Sequence, residues 1–188
     1  VTVVLVILGI VVLVLLAGVF SYNRFVSQRN LVRSSWANID TELKRRYDLI
    51  PNLVETVKGY ASHERETLEA VTRARTAAVS ATGTPAEQAA AEGPLIGALR
   101  QLFAVSEQYP DLKANENFLQ LQGELANTED RLQAARRFYN ANVQDINRRV
   151  QAFPSSVIAG MFKFTEEQYF EVEPAMRAQL EQPPKIEF

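Results

Sequence analysis

The sequence predicts an all-α protein in which an N-terminal transmembrane helix continues into an antiparallel four-helix bundle with two long and two short helices. Three observations carry this expectation. Residues 1–20 are apolar and uncharged, two long stretches downstream repeat apolar residues every seven positions, and Gly and Pro are few and fall between periodic segments.

The first element is the anchor, residues 1–21. Its uncharged run rises roughly 30 Å as helix, which matches the hydrocarbon thickness of a bilayer. A cleaved signal peptide would carry a basic leader, a shorter apolar centre and a small-residue cleavage site. No basic residue precedes the run, and Leu16-Ala17-Gly18-Val19 lacks the cysteine of a lipoprotein signal. An uncleaved anchor is therefore expected. Arg24, Arg29 and Arg33 follow the span before the first acid, Asp40, so the charge bias puts the C-terminal body in the cytoplasm. The chain begins at Val rather than Met, so any residues preceding it would enter that balance. Phe20, Tyr22 and Phe25 stand where an interfacial aromatic belt would lie.

Composition bounds the remainder of the chain. The part beyond the anchor is about 165 residues, enough for one core-containing domain. With 20 basic and 22 acidic residues the charge is not that of a nucleic-acid binder. There is no cysteine, which excludes disulfides and thiolate chemistry and fits a reducing compartment.

The bundle is expected over 22–154. Its first helix places Trp36, Leu43, Ile50 and Val57 at one seam position and Ile39, Leu53 and Tyr60 at the other, with Arg46 breaking the stripe. Pro51 falls inside this pattern and predicts a bend near Tyr47, not an end, because the pattern survives it. Gly59 and Ser62 mark a corner, and Glu64, Glu66 and Glu69 load the start of a second helix that carries Leu68, Val71 and Ala78. Thr82-Gly83-Thr84-Pro85 is the clearest loop. A third helix runs from about Ala86 to Gln108 with Leu95, Leu99, Leu102 and Phe103 on one side, despite Gly93-Pro94. Its Ala-rich start is expected to be a weakly held, solvated turn rather than a close-packing face. Tyr109-Pro110-Asp111 closes it. In the fourth helix Phe118, Leu125, Leu132, Tyr139, Ile146 and Phe153 fall seven apart, Leu121, Thr128, Ala135 and Asn142 fill the other seam position, and Pro154 ends the element.

At 1.5 Å per residue the first soluble helix and the fourth each run roughly 55 to 60 Å, and the middle two about 30 Å. An up-down-up-down arrangement then returns the fourth helix to the membrane. Residues 155–172 would arrive at the bilayer surface, with Val157, Ile158, Met161, Phe162 and Phe164 as an interfacial or docking element; ordinary packing over the bundle's end is the alternative. Residues 173–188, with Gln182-Pro183-Pro184, read as a loose tail.

No constellation supports catalysis. Di-metal carboxylate bundles need two Glu-x-x-His elements, and this chain has one histidine, His63, with Tyr60 in place of the glutamate. Cysteine, a phosphate-cradling glycine loop and a nucleophile elbow are all lacking, so neither enzyme activity, cofactor, metal nor small-molecule substrate is expected. The polar breaks in the seams are more informative. Arg46 is expected to meet the fourth helix near Arg136 to Asn142, with Asn140 and Asn142 as acceptors and Asp48, Asn52, Thr128, Glu129 and Arg136 completing a polar layer. Such a layer sets register or partner choice; a solvated helix edge is the competing reading.

The blocks Tyr22-Asn23, Trp36, Arg46, Asp48-Leu49-Ile50-Pro51-Asn52-Leu53-Val54-Glu55-Thr56-Val57, His63-Glu64-Arg65 and Ala74-Arg75 closely resemble the LemA family of bacterial membrane proteins. In the second half Glu107, Tyr109-Pro110-Asp111-Leu112-Lys113-Ala114-Asn115, Phe118, Leu121, Thr128-Glu129, Ala135-Arg136, Tyr139-Asn140 and Phe153-Pro154 extend the resemblance over nearly all of the soluble part. Many relatives carry a glycine-cysteine pair before the Tyr-Asn; Val19-Phe20-Ser21 stands here, which argues against lipid anchoring. The resemblance implies one N-terminal span, an antiparallel helical bundle and no assigned enzymatic activity, and it implies a bacterial inner-membrane location. Relatives in magnetotactic bacteria take part in forming magnetosome membranes. Two functions fit these expectations. In one, a self-assembling, membrane-anchored homo-oligomeric scaffold organises or remodels the lipid bilayer. In the other, a monomeric bundle tethered to the membrane recruits a soluble protein partner.

Overall fold

The computed structural model describes residues 1–171, and within them the chain is all-α. Six helices occur in order: α1 (Thr2–Tyr60), α2 (Arg65–Ser80), α3 (Pro85–Ser106), α4 (Pro110–Lys113), α5 (Glu116–Gln151) and α6 (Ser155–Phe162). The expected tail, 173–188, and the last residue of the 155–172 segment lie outside the described residues. The chain divides into two compact units, each drawing on both long helices. The first comprises Val1–Asn38 and Arg137–Glu167; the second comprises Ile39–Arg136 with 168–171.

In the first unit, the apolar run of α1 is helical and unburied, an 18-residue window of mean hydropathy 3.4 with none of it covered by protein. Beyond the run the helix acquires partners. Phe25 and Val32 of α1 are buried with Tyr139, Val143 and Ile146 of α5. Trp36 lies 5.4 Å from Tyr139, ring centre to ring centre, and Gln28 Oε1 accepts a 2.7 Å hydrogen bond from Arg149 Nε, so the two helices run in opposite directions here. α6 is ended by Lys163, whose left-handed backbone (φ 57°, ψ 39°) reverses the chain and lets Phe164 N–H bond Ala159 C=O at 2.9 Å. Asn147 then grips the returning strand of chain with both amide atoms: its Nδ2 donates to Glu167 C=O at 2.9 Å, and its Oδ1 accepts from Glu167 N–H at 2.8 Å. The seven-residue stripe on α5 stops short of its expected end, because Phe153, after the helix, is exposed.

In the second unit, Ile39, Leu43, Ile50, Leu53 and Val57 of α1 are buried, as are Leu68 and Val71 of α2, Leu95 and Leu102 of α3, and Phe118, Leu125 and Leu132 of α5. Each such side chain contributes about 1.5–3 kcal/mol, so this seam outweighs any single polar contact in the unit. The turns are specified by local chemistry. Thr84 and Glu87 form a reciprocal capping box, with Glu87 N–H donating to Thr84 Oγ1 at 3.3 Å and Thr84 N–H to Glu87 Oε2 at 2.7 Å, and Pro85 opens α3. Tyr109-Pro110-Asp111 does more than close a helix. Pro110 starts the one-turn α4, which buries Leu112, and Tyr109 Oη donates to Glu64 Oε1 at 3.0 Å. Asn115 caps α5 by accepting Phe118 N–H at 3.0 Å, and its amide donates to Tyr60 Oη at 2.9 Å.

The Ala-rich start of α3 corrects an expectation. It is not a solvated turn: Gln88, Ala89, Glu92 and Gly93 are all buried. They extend the Leu95–Leu102 face backwards at helical spacing, and small residues there let α3 approach its neighbours closely.

Candidate functional site

Two clusters of polar chemistry stand out, one in each unit. In the second unit, Arg46 is 3% exposed and its guanidinium bonds two carboxylates, Glu92 through Nη1 at 2.7 Å and Glu129 through Nη2. Glu92 is 1% exposed and also accepts from Tyr47 Oη at its other oxygen. Gln88 Nε2 donates to Tyr47 Oη at 3.0 Å and to Ala78 C=O at 3.2 Å. Arg75 Nε reaches across from α2 to the main-chain carbonyl of Tyr47 at 2.6 Å. Burial, followed by the hydrogen bond to Glu92, holds the Tyr47 phenol well above the ordinary phenol range, so it remains a donor.

Of the residues expected in a polar layer, the structure brings Glu129 to Arg46, together with Glu92, which was not expected. Both acceptors are carboxylates that match a guanidinium in charge, whereas Asn140 and Asn142 belong to the first unit. Asp48 and Asn52 are exposed and complete no layer, because they lie on the outer side of α1 from Leu43, Ile50 and Leu53. Thr128 is buried but spends its hydroxyl on Glu124 C=O at 2.8 Å within its own helix. Arg136 is half-buried. Glu92, Tyr47, Gln88 and Arg75 were not among the expected members. A signal for Glu92 existed, since Gln88 and Glu92 precede Leu95 and Leu102 on one helical face.

In the first unit, the apolar segment expected at the membrane lies against the part of α1 that emerges from the apolar run. Ile158 Cδ1 is 3.8 Å from where a Cβ on Gly18 would stand. Phe162 and Phe164 lie 4.7 Å and 5.8 Å from the Tyr22 ring. Phe25 and Phe164 stack at 4.8 Å with 15° between planes, Arg29 sits 5.2 Å over Phe164, and Arg149 sits 5.9 Å over Phe25. Phe164 is buried by these contacts and Ile158 partly so, whereas Val157, Met161 and Phe162 are more than half exposed.

Neither cluster is arranged for bond chemistry. Glu92 is sealed from solvent and spent on Arg46 and Tyr47, and the phenylalanine cluster offers no nucleophile. His63 is exposed, and among the described residues no three His, Cys, Asp or Glu side chains converge to hold a metal ion.

Among the described residues the chain is all-α, with one long, apolar, unburied N-terminal helix, and with its relatives this fits a membrane-associated helical protein. The LemA family model matches residues 35–188, and the chain belongs to the LemA family. It is 28% identical over 155 residues to Protein LemA of Metamycoplasma hominis, covering 78% of this chain and 69% of that relative. It is 27% identical over 179 residues to Magnetosome protein MamQ 2 of Paramagnetospirillum magneticum, covering 82% of this chain and 66% of the relative. Magnetosome protein MamQ of Magnetospirillum gryphiswaldense is 26% identical over the same length and coverage. The aligned region therefore spans about two thirds of these relatives' length.

Proposed function

We propose that this protein is a non-enzymatic, self-assembling scaffold of the bacterial inner membrane, a single-pass chain whose cytoplasmic four-helix bundle organises or bends the bilayer. The observation that carries it is α1 itself, a 59-residue helix that holds both the apolar start and residues buried in the soluble part. The heptad seams of α1 and α5 favour long-range helix alignment, and outward apolar side chains such as Phe138 and Leu119 supply surface for contacts between copies. The relatives named as magnetosome proteins support a membrane-associated role. Arginines 24, 29 and 33 on the C-terminal flank support the cytoplasmic orientation.

Native mass spectrometry or mass photometry of the detergent-extracted chain tests this. A large uniform oligomer is expected, and deletion of 157–170 should weaken assembly or membrane-surface contact. A monomer that captures a soluble protein supports the tethered adaptor instead.

A further inference from the structure

The first unit is charged unlike the rest of the chain. It carries seven Arg and Lys residues against three acids, in a chain that is net acidic. Three of the seven converge just past the apolar run. Arg24 lies about 6 Å of helix rise beyond Phe20 and Arg29 about 13 Å, while Arg149 is drawn to the same end of the unit by its bond to Gln28. The phosphates of a bilayer lie roughly 5–8 Å outside its hydrocarbon edge.

None of Arg24, Arg29 and Arg149 is ion-paired among the described residues. Two of the three guanidiniums are held instead by rings, Arg29 over Phe164 and Arg149 over Phe25. Such a contact fixes the plane of the fork while leaving N–H donors unspent, and Arg29 Nε is buried without a hydrogen-bond partner. The Ser21 hydroxyl, two turns nearer the span, is likewise buried and unpartnered. Arg149 is held below its usual value by burial first and then by repulsion from Arg24 and Arg148, with only Asp145 opposing, and Asp145 is already paired to Arg148 at 2.7 Å. Like charges whose one nearby carboxylate is already paired are stabilised by an anion from outside.

We propose that Arg24, Arg29 and Arg149 form a binding site for the headgroup phosphate of an anionic phospholipid, beside an α6 whose exposed apolar face lies in the same lipid surface. The proposal rests on the membrane-anchored reading and names the lipid class which that anchor prefers. The occupant is a lipid and not a soluble anion because the site is continuous with the apolar run: Ile158 meets Gly18 and Phe162 meets Tyr22, so an acyl chain has an apolar surface directly below the fork. A planar fork and a phosphodiester suit each other in geometry as well as in charge.

The test is native mass spectrometry of the full chain released from micelles doped equally with phosphatidylglycerol and phosphatidylcholine. Retained adducts should be enriched in phosphatidylglycerol, by roughly fivefold for each arginine near the surface. Arg24→Gln should lower the preference about fivefold and Arg24→Lys should keep most of it. Arg24→Gln/Arg29→Gln/Arg149→Gln should abolish it with helix content unchanged by circular dichroism. Should the triple variant misfold, Arg24→Gln decides alone, since Arg24 is exposed. Equal retention of both lipids by the wild type, a preference that survives the substitutions, or displacement of the lipid by millimolar inorganic phosphate would each overturn the site. Failure of the anchor is read separately: a wild-type chain stripped from membranes by alkaline carbonate defeats the membrane reading, while a carbonate-resistant chain without lipid preference defeats only the headgroup site.

Discussion

Arg75 Nε donates to the Tyr47 carbonyl at 2.6 Å, and that carbonyl is the one whose helical partner Pro51 removes. A proline in a helix interior costs about 3 kcal/mol or more when its i−4 carbonyl goes unsatisfied. Here the freed acceptor becomes the point at which α2 attaches to α1. The neighbours of the same turn, Arg46 and Tyr47, then engage Glu92 of α3, and Arg46 also engages Glu129 of α5. One turn of α1 thus addresses three other helices of the second unit.

Arg75→Leu should destabilise the protein by about 1–3 kcal/mol, the cost of leaving a buried acceptor unmet. Pro51→Ala restores an N–H to Tyr47 C=O, so Arg75→Leu should cost distinctly less in that background. A double-mutant cycle by chemical denaturation in detergent measures the coupling. Additive effects would mean that the two residues act independently.

Arg46→Leu should be more damaging, about 3–5 kcal/mol, because it leaves Glu92 buried beside only the neutral donors Tyr47 and Gln88. Arg46→Leu/Glu92→Leu should recover much of that loss, since both desolvated charges go together. If register and oligomer size also change in the single variant but not the double, the layer sets alignment as well as stability. A single variant with unchanged melting would remove both roles.

The parts of the fold legible in the sequence are those with a periodic signal. The seams of α1 and α5 were visible because Leu43, Ile50 and Val57, and Phe118, Leu125 and Leu132, recur at a fixed spacing that only a packed helix face requires. Arg46 was visible as the break in that spacing. Its partner Glu92 stands in an Ala-rich stretch without an apolar stripe of its own, and only helical register with Leu95 and Leu102 marks that face. Asp48 and Asn52 were drawn into the layer by nearness in sequence, although their positions on the helix point them to solvent. The role of Arg75 needs a three-dimensional neighbour, and nothing in its local pattern announces it.

Alkaline pH offers a test in the first unit. Burial first, and Glu167 second, push the Tyr139 phenol up to about 12 from its ordinary value of 10.0. The native state therefore holds this proton more tightly than the unfolded chain, so the associated stability is complete below pH 10 and is lost as pH rises towards 12. Denaturation midpoints should fall across that window, and Tyr139→Phe should make the fall shallower. A slope unaffected by the substitution would assign the alkaline loss to other groups.

The absence of cysteine makes the chain suited to a single spin label, and Met161 is the place for it. Met161 is exposed on α6, one residue before Phe162, whose ring meets Tyr22 of α1. If α6 lies in the lipid surface, a nitroxide at Met161→Cys in reconstituted vesicles should be more accessible to dissolved oxygen than to a water-soluble nickel chelate. A label at Leu119→Cys on α5, also exposed, should show the reverse. Amphipathic helices sit about 5–10 Å into the headgroup and acyl boundary, so the Met161 label should report a shallow depth and not mid-bilayer. Equal aqueous access at both positions would mean that α6 stands clear of the membrane and that its apolar face serves a protein contact.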